Sequence, residues 1–175
     1  MLCAGMVDRG GIDFSLETAA CKVYASELAW RSASDAMQMA GGIGYSKEYR
    51  YEQALRDSRI NMIFEGTNEI LRALIALMGL QQPGEELKQV GKAFKNPLRN
   101  IGAISSYATG RAKRTITKNK FTKVHEALAD EADLVESAIH DLALAVEKAL
   151  IEHGKEIIVR HMILVRIASA ACVIY

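Results

Sequence analysis

Proline and alternating β-branched residues are both scarce in this chain. Only 2 of its 175 residues are proline, and Val, Ile and Thr seldom alternate with polar residues as they do in half-buried strands. Apolar residues make up 50% of the sequence, enough for a sizeable core without disulfides. We therefore predict an all-α fold, a helical bundle of about one domain.

The cysteines and histidines form no disulfide or metal pattern. Cys3, Cys21 and Cys172 are an odd set without CxxC, so we expect reduced, buried thiols of a cytosolic type. The four histidines lack ligand spacing, and we predict no metal site.

The first residues do not resemble a signal peptide, and charges within 157–175 favour a buried helix over a membrane span. The net charge of +1 indicates no particular partner.

Helical periodicity and helix-ending glycines divide the chain. The first long helix should end at the cluster Gly41, Gly42 and Gly44, and the third helix should end at Gly79. We expect Arg59–Phe64 to be extended. The last two helices should form an antiparallel hairpin. The predicted helices cover Ser15–Met39, Tyr51–Ser58, 67–78, Val124–Glu152 and Lys155–Tyr175. Neither end of the chain carries a helix start or stop signal, so we expect a piece of a longer polypeptide.

A basic segment separates the two helical regions. Between Leu87 and His125 there are ten Lys and Arg and no Asp or Glu, with breaks at Pro97, Gly102 and Gly110. Such a run is most often a solvated linker, and it also suits contact with an anionic membrane surface. Aromatic residues are too sparse there for a nucleic-acid stacking platform. We predict three segments: 1–80, the basic segment 81–123, and 124–175.

The run from Phe64 to Leu71 carries the strongest chemical signal. Glu65 lies between an aromatic residue and a glycine, where an irregular segment becomes a helix. Thr67 and Asn68 are good cap residues, and Glu69 places negative charge in the first turn. In isolation, the run is that of a well-capped core helix with an exposed Glu. In the right surroundings, Glu65 would be a desolvated general base beside a cofactor-binding helix N-terminus.

Several motifs in order resemble the C-terminal helical domain of acyl-CoA dehydrogenases. They are Gln38-Met39-Ala40-Gly41-Gly42-Ile43-Gly44-Tyr45, then Leu55-Arg56-Asp57, then Ile63 through Arg72. The helical extension over 80–175 is similar to the branch of the very-long-chain enzyme and family member 9. The resemblance is close over 15–81 and looser beyond. We expect Arg56, Asp57 and Arg59 to form a local ion-pair set.

The resemblance implies a role for each motif. Glu65 would be the base that removes the α-proton of an acyl-CoA while the β-carbon gives a hydride to FAD. Water exclusion by flavin and acyl chain would strengthen that base. Gly66 would lie beside the substrate, and Thr67, Asn68 and Glu69 at the flavin. A further stretch would contact the FAD of a neighbouring subunit. It consists of Gln38, Met39, Ala40, Gly41 and Gly42.

The resemblance also implies partners and a compartment. The parent protein would oxidise long-chain acyl-CoA in fatty acid β-oxidation, form a homodimer or larger assembly, and pass electrons to electron-transferring flavoprotein. The isolated fragment should be inactive, and residues 87–123 would supply any peripheral membrane contact. The compartment would be the cytoplasm in a bacterium, or the mitochondrial matrix or inner-membrane face in a eukaryote. The alternative is a non-enzymatic assembly or scaffold protein that keeps the fold, although a scaffold has no need of Glu65.

Overall fold

The computed structural model describes residues 2–95 and 100–174, and within them it contains helices and no strand. The all-α prediction is therefore confirmed. Two 3₁₀ segments cover Glu126–Leu128 and Gly154–Val159. The α-helices are α1 (Leu2–Arg9), α2 (Ser15–Met39), α3 (Gly42–Tyr45), α4 (Tyr51–Ile60), α5 (Asn68–Phe94), α6 (Ile101–Ile116), α7 (Ala129–His153) and α8 (His161–Ile174).

The chain divides into two compact units. The first comprises the residues up to Ala76 together with Ala171–Val173, and the second comprises Leu77–Ala170. The predicted segments 1–80, 81–123 and 124–175 stay a prediction.

Helix α2 organises the first unit and has the predicted bounds. Its start is fixed by Asp13, whose Oδ1 accepts hydrogen bonds from the Ser15 hydroxyl at 2.6 Å and the Ser15 N–H at 3.0 Å. These two bonds lower the pKa of the Asp13 carboxyl. Ala19, Ala20 and Val23 form its buried stripe. Helix α2 also packs against α3 and α4.

Helix α5 is longer than predicted. The prediction that Gly79 ends it was wrong, because the helix continues through Gly79 and Pro83 to Phe94. Pro83 has no N–H to bond the carbonyl of residue 79, four positions back, so the helix loses one internal hydrogen bond there. Leu80, 5% exposed, is buried beside this weak point. Its burial outweighs the roughly 1 kcal/mol by which glycine disfavours a helix.

The predicted extended run Arg59–Phe64 was also wrong. Helix α4 continues to Ile60, whose carbonyl then accepts hydrogen bonds from the N–H groups of Ile63 at 2.9 Å and Phe64 at 3.0 Å. The chain therefore turns tightly before α5 begins.

The second unit has its own apolar core, which contains Leu80, Ala93, Leu150, Ile157, Leu164 and Ala168. After α7, Gly154 (φ 50°) starts the 3₁₀ segment that packs on α7. The chain bends by 113° between 126–159 and α8, so the antiparallel hairpin was not a correct prediction. Among the described residues, no single helix is long and apolar enough to cross a membrane, although the bent pair has the required length and composition.

The basic segment is largely helical and in part paired with acidic residues. Arg111 lies 3.1 Å from Glu147, and Arg114 lies 3.3 Å from Glu86. The backbone N–H of Phe121 donates to the buried Glu136 carboxylate at 2.6 Å. These contacts hold the segment at a few points, while its residues 111–123 are exposed. The predicted break at Pro97, with Arg99 near it, lies outside the described residues.

The cysteines differ from one another in exposure. Cys172 is buried, Cys3 is half-buried, and Cys21 is exposed, so the expectation of buried thiols was wrong for Cys21. Burial raises the pKa of the Cys172 thiol. No group of three or more His, Cys, Asp or Glu among the described residues could hold a metal ion.

Candidate active site

The candidate site is centred on the tight turn that connects α4 to α5. Glu65 has φ 53°, and it is the one non-glycine residue with positive φ in the described part of the chain. Gly66 follows with φ 91°, and the N–H of Asn68 closes the turn by donating to the Met62 carbonyl at 3.1 Å. A left-handed conformation is unfavourable for Glu, and residues held this way are frequent at functional sites. The turn therefore presents Glu65 in a fixed, strained conformation.

Glu65 and Phe64 are both exposed in this chain. The expected desolvation of Glu65 is thus not provided by these residues. The carboxylate is open to whatever binds at the turn.

The N-terminus of α5 begins as predicted. The Thr67 hydroxyl accepts a hydrogen bond from the N–H of Ile70 at 3.3 Å, and the Thr67 carbonyl accepts from Leu71 at 2.9 Å. Thr67 is therefore the cap, with Asn68 as the first helical residue and Glu69 exposed beside it.

Asn68 is a buried polar hub between α5 and α2, with 0% of its surface exposed. Its Oδ1 accepts from Lys22 Nζ at 2.8 Å and from Ser26 Oγ at 3.2 Å. Its Nδ2 is within donor distance of Ser26 Oγ (2.9 Å), Glu27 Oε1 (3.3 Å) and the Val23 carbonyl (3.5 Å). A buried amide satisfied on both sides locks the two helices in one register. The side chain assigned to the flavin thus faces α2.

Two charged residues extend this network. Lys22 Nζ also donates to the Gly66 carbonyl at 2.8 Å, and Arg72 contacts Glu27 at 2.7 Å. Sequence reasoning missed Lys22, Ser26, Glu27 and Arg72. Lys22 and Ser26 are four positions apart on one helical face, a pattern that could have indicated a shared polar contact.

The predicted stretch Gln38–Gly42 lies at the end of α2. Helix α2 ends at Met39, and Gly41 (φ 63°) redirects the chain into α3. Ala40 is half-buried, whereas Gln38, Met39, Gly41 and Gly42 are exposed. A Cβ placed on Gly41 or Gly42 would meet no atom within 4 Å, so a ligand could approach this backbone closely.

The first unit also contains a shallow groove of about 600 Å³, lined by residues of α2, α3 and α4 and by Ile63. Its lining includes Trp30, Tyr45, Leu55, Arg59 and Ile63. The Arg59 guanidinium stacks 5.4 Å from the Trp30 ring centroid.

The predicted ion-pair set of Arg56, Asp57 and Arg59 was wrong. Arg56 lies 3.7 Å from Glu52, one helical turn earlier in α4, in place of Asp57. Arg59 instead contacts Trp30.

Comparison with known proteins identifies the family. Residues 1–79 match the family described as acyl-CoA dehydrogenase, C-terminal domain, and residues 126–175 match the family described as ACAD9/ACADV, C-terminal domain. The chain therefore belongs to the acyl-CoA dehydrogenase family. Within that family, the second match indicates the branch that carries the extra helical domain.

Individual relatives agree with this assignment. The very long-chain specific acyl-CoA dehydrogenase, mitochondrial, of Bos taurus is 38% identical over 100% of this chain and 27% of its own length. A probable acyl-CoA dehydrogenase of Bacillus subtilis is 32% identical over 82% of this chain and 28% of its own length. The chain thus spans about a quarter of the length of these curated relatives.

A solved structure is also similar to this chain. The acyl-CoA dehydrogenase complexed with FAD from Bacillus anthracis has a TM-score of 0.65 and 31% identity, covering 91% of this chain and 24% of that one. The fold described above is accordingly that of the C-terminal helical part of an acyl-CoA dehydrogenase.

Proposed function

We propose that this chain is part of an FAD-dependent acyl-CoA dehydrogenase that acts on long-chain fatty acyl-CoA, with Glu65 as its catalytic base. The observation that carries the proposal is the strained, exposed turn at Glu65, inside the region that matches the family. The relatives aligned over the whole chain are named very long-chain specific and mitochondrial, which supports a long acyl chain and a mitochondrial compartment.

The residues present fit a flavin at two places. The exposed backbone of Gly41 and Gly42 has no side chain to block a flat group, and the N-terminus of α5 provides the positive end of the helix dipole. Gln38–Gly42 would hold the FAD of a neighbouring subunit, and Thr67–Glu69 the FAD of the same subunit. That sharing of FAD implies a homodimer or larger assembly.

The proposed reaction breaks two C–H bonds: a base takes the α-hydrogen as a proton, and an oxidant takes the β-hydrogen as a hydride. The Glu65 carboxylate takes the α-proton of the acyl-CoA, and bound FAD supplies the hydride acceptor for the β-carbon. The product would be the trans-2-enoyl-CoA, and electron-transferring flavoprotein would be the electron acceptor. Gly66 leaves room for the acyl thioester next to the base. The backbone N–H of Glu65 would hydrogen-bond the thioester oxygen and acidify the α-proton.

Flavin reduction tests this proposal. In the full-length enzyme without oxygen, palmitoyl-CoA should bleach the flavin band. Glu65→Gln should keep the flavin and lose bleaching by about 10³-fold, within the usual range for loss of a general base, because the amide cannot take the proton. Glu48→Gln, a change of an exposed carboxylate in the α3–α4 connection, should bleach normally. Equal bleaching in Glu65→Gln and wild type would contradict the assignment.

The non-enzymatic alternative makes a different prediction in the same assay. A scaffold protein that keeps the fold would show no bleaching with acyl-CoA of any chain length. The 175-residue chain alone should neither retain stoichiometric FAD nor turn over, since it spans about a quarter of its relatives.

Peripheral membrane contact through 87–123 is a second proposal, supported by exposed apolar residues among the basic ones. Ile101 is 61% exposed, Ile116 83%, and Phe121 49%. Lys120 and Lys123 are exposed beside Phe121. Vesicles of phosphatidylcholine with phosphatidylserine should bind the protein, and each Lys→Glu change at these two positions should weaken binding by at least about 1 kcal/mol. Binding that is the same on pure phosphatidylcholine would argue against an electrostatic contact.

A further inference from the structure

The direction of the Glu65 side chain depends on its backbone. The carboxylate is exposed and lies on a left-handed residue, followed by Gly66, which is itself at φ 91°. A glycine beside a strained residue has a wide choice of alternative conformations. Something must therefore select the observed one.

Lys22 reaches across from α2 and bonds the backbone of this turn. Its ammonium donates to the Gly66 carbonyl and to Asn68 Oδ1, both at 2.8 Å. The two acceptors belong to residues on either side of Thr67, the cap of α5. One cation therefore holds the turn and the helix start together through two charge-assisted hydrogen bonds.

The ammonium is itself held in place by its surroundings. Asn68 is fully buried, and its amide is fixed by bonds to Ser26 and Glu27 on the same helix as Lys22. Glu27 is in turn paired with Arg72 on α5. The contacts between α2 and α5 thus hold the Lys22 ammonium at hydrogen-bonding distance from the Gly66 carbonyl.

We propose that Lys22 is a positioning residue for the catalytic base, because it fixes the Gly66 peptide and through it the direction of Glu65. The inference rests on the proposed function of Glu65. It assigns Lys22 a role in the reaction rate in addition to its role in packing.

Two variants separate positioning from folding. Lys22→Met keeps the length of the side chain and removes the ammonium, whereas Lys22→Arg keeps a cation. In the full-length FAD enzyme, Lys22→Met should lower kcat per bound flavin by about 10- to 100-fold, the range expected when a reacting group is misplaced. The KM for palmitoyl-CoA should stay within about twofold, and α-deuterated substrate should show a larger isotope effect because proton removal has become slower. Lys22→Arg should restore part of kcat, and Arg31→Met, which changes an exposed cation of the same helix, should be neutral.

Hydrogen exchange provides a readout that does not depend on activity. In the 175-residue chain, the Asn68 N–H closes the turn on Met62, and Lys22→Met should accelerate its exchange relative to wild type and Arg31→Met. Unchanged exchange there, or unchanged kcat per bound flavin in Lys22→Met, would overturn the positioning role even if the variant melts earlier. A wild-type enzyme that shows no flavin reduction would instead contradict the proposed function, and the exchange result would still stand.

Discussion

Replacement of Asn68 by alanine should be the most damaging single change in the first unit. The side chain is 0% exposed, and its amide makes five polar contacts of 2.8 to 3.5 Å with four partner atoms. Two of these involve the charged groups of Lys22 and Glu27. Alanine removes all five and leaves polar partners facing a small cavity.

The magnitude follows from the partners that are left behind. Ser26 keeps its bond to the Val23 carbonyl at 3.1 Å, and Lys22 keeps its bond to Gly66. The substitution therefore incurs only part of the free-energy cost of leaving buried polar groups without hydrogen-bond partners. At about 1 kcal/mol for a neutral bond and 1.5–3 kcal/mol for a charge-assisted one, with incomplete additivity, we expect a loss of about 2–4 kcal/mol in the free energy of unfolding.

Trp30 makes the measurement specific. It is the sole tryptophan and lies in the first unit, so its fluorescence during urea unfolding reports on that unit. With a urea dependence of about 1.5 kcal/mol per M, the midpoint should fall by roughly 2 M. Asn61→Ala is the matched control, since the Asn61 amide donates one bond of 3.4 Å to the Asp57 carbonyl. A loss below about 0.5 kcal/mol in Asn68→Ala, no larger than in Asn61→Ala, would refute the buried hub.

Three further predictions concern packing, anchoring and thiol chemistry. Gly44→Ala should lower the free energy of unfolding by about 1–3 kcal/mol, because the new Cβ would overlap the Met37 carbonyl oxygen. Trp30 fluorescence during urea unfolding measures this loss. Glu136→Ala should speed trypsin cleavage at the lysines of 118–123, since it removes the acceptor of the Phe121 N–H. Alkylation of Cys172 should need a higher pH than an ordinary thiol, because burial raises its pKa and so lowers the thiolate fraction near pH 8.

Each of these predictions has a control within the chain. Gly42→Ala should lower the free energy of unfolding less than Gly44→Ala does, because a Cβ at Gly42 would meet no atom within 4 Å. Glu131→Ala, a change of an exposed carboxylate of α7, should leave trypsin cleavage unchanged. Exposed Cys21 should react before Cys172, and the reverse order would mean that burial does not control the thiols.

The sequence by itself determined the helical class, the bounds of α2, the start of α5 and the family. These features depend on short-range physics. Asp13 bonds to Ser15 two residues away, and Thr67 caps a helix that begins at the next residue. Periodicity and capping can be read from neighbouring residues because the interactions themselves are local.

Only the tertiary structure decided which polar residues surround the candidate base. Lys22 and Asn68 are 46 positions apart, and their contact depends on how α2 packs beside the turn. The continuation of α5 through Gly79 is of the same kind, since burial of Leu80 offsets a local preference to stop. Long-range packing energies of a few kcal/mol exceed the local propensities, so neither result was present in the order of the residues.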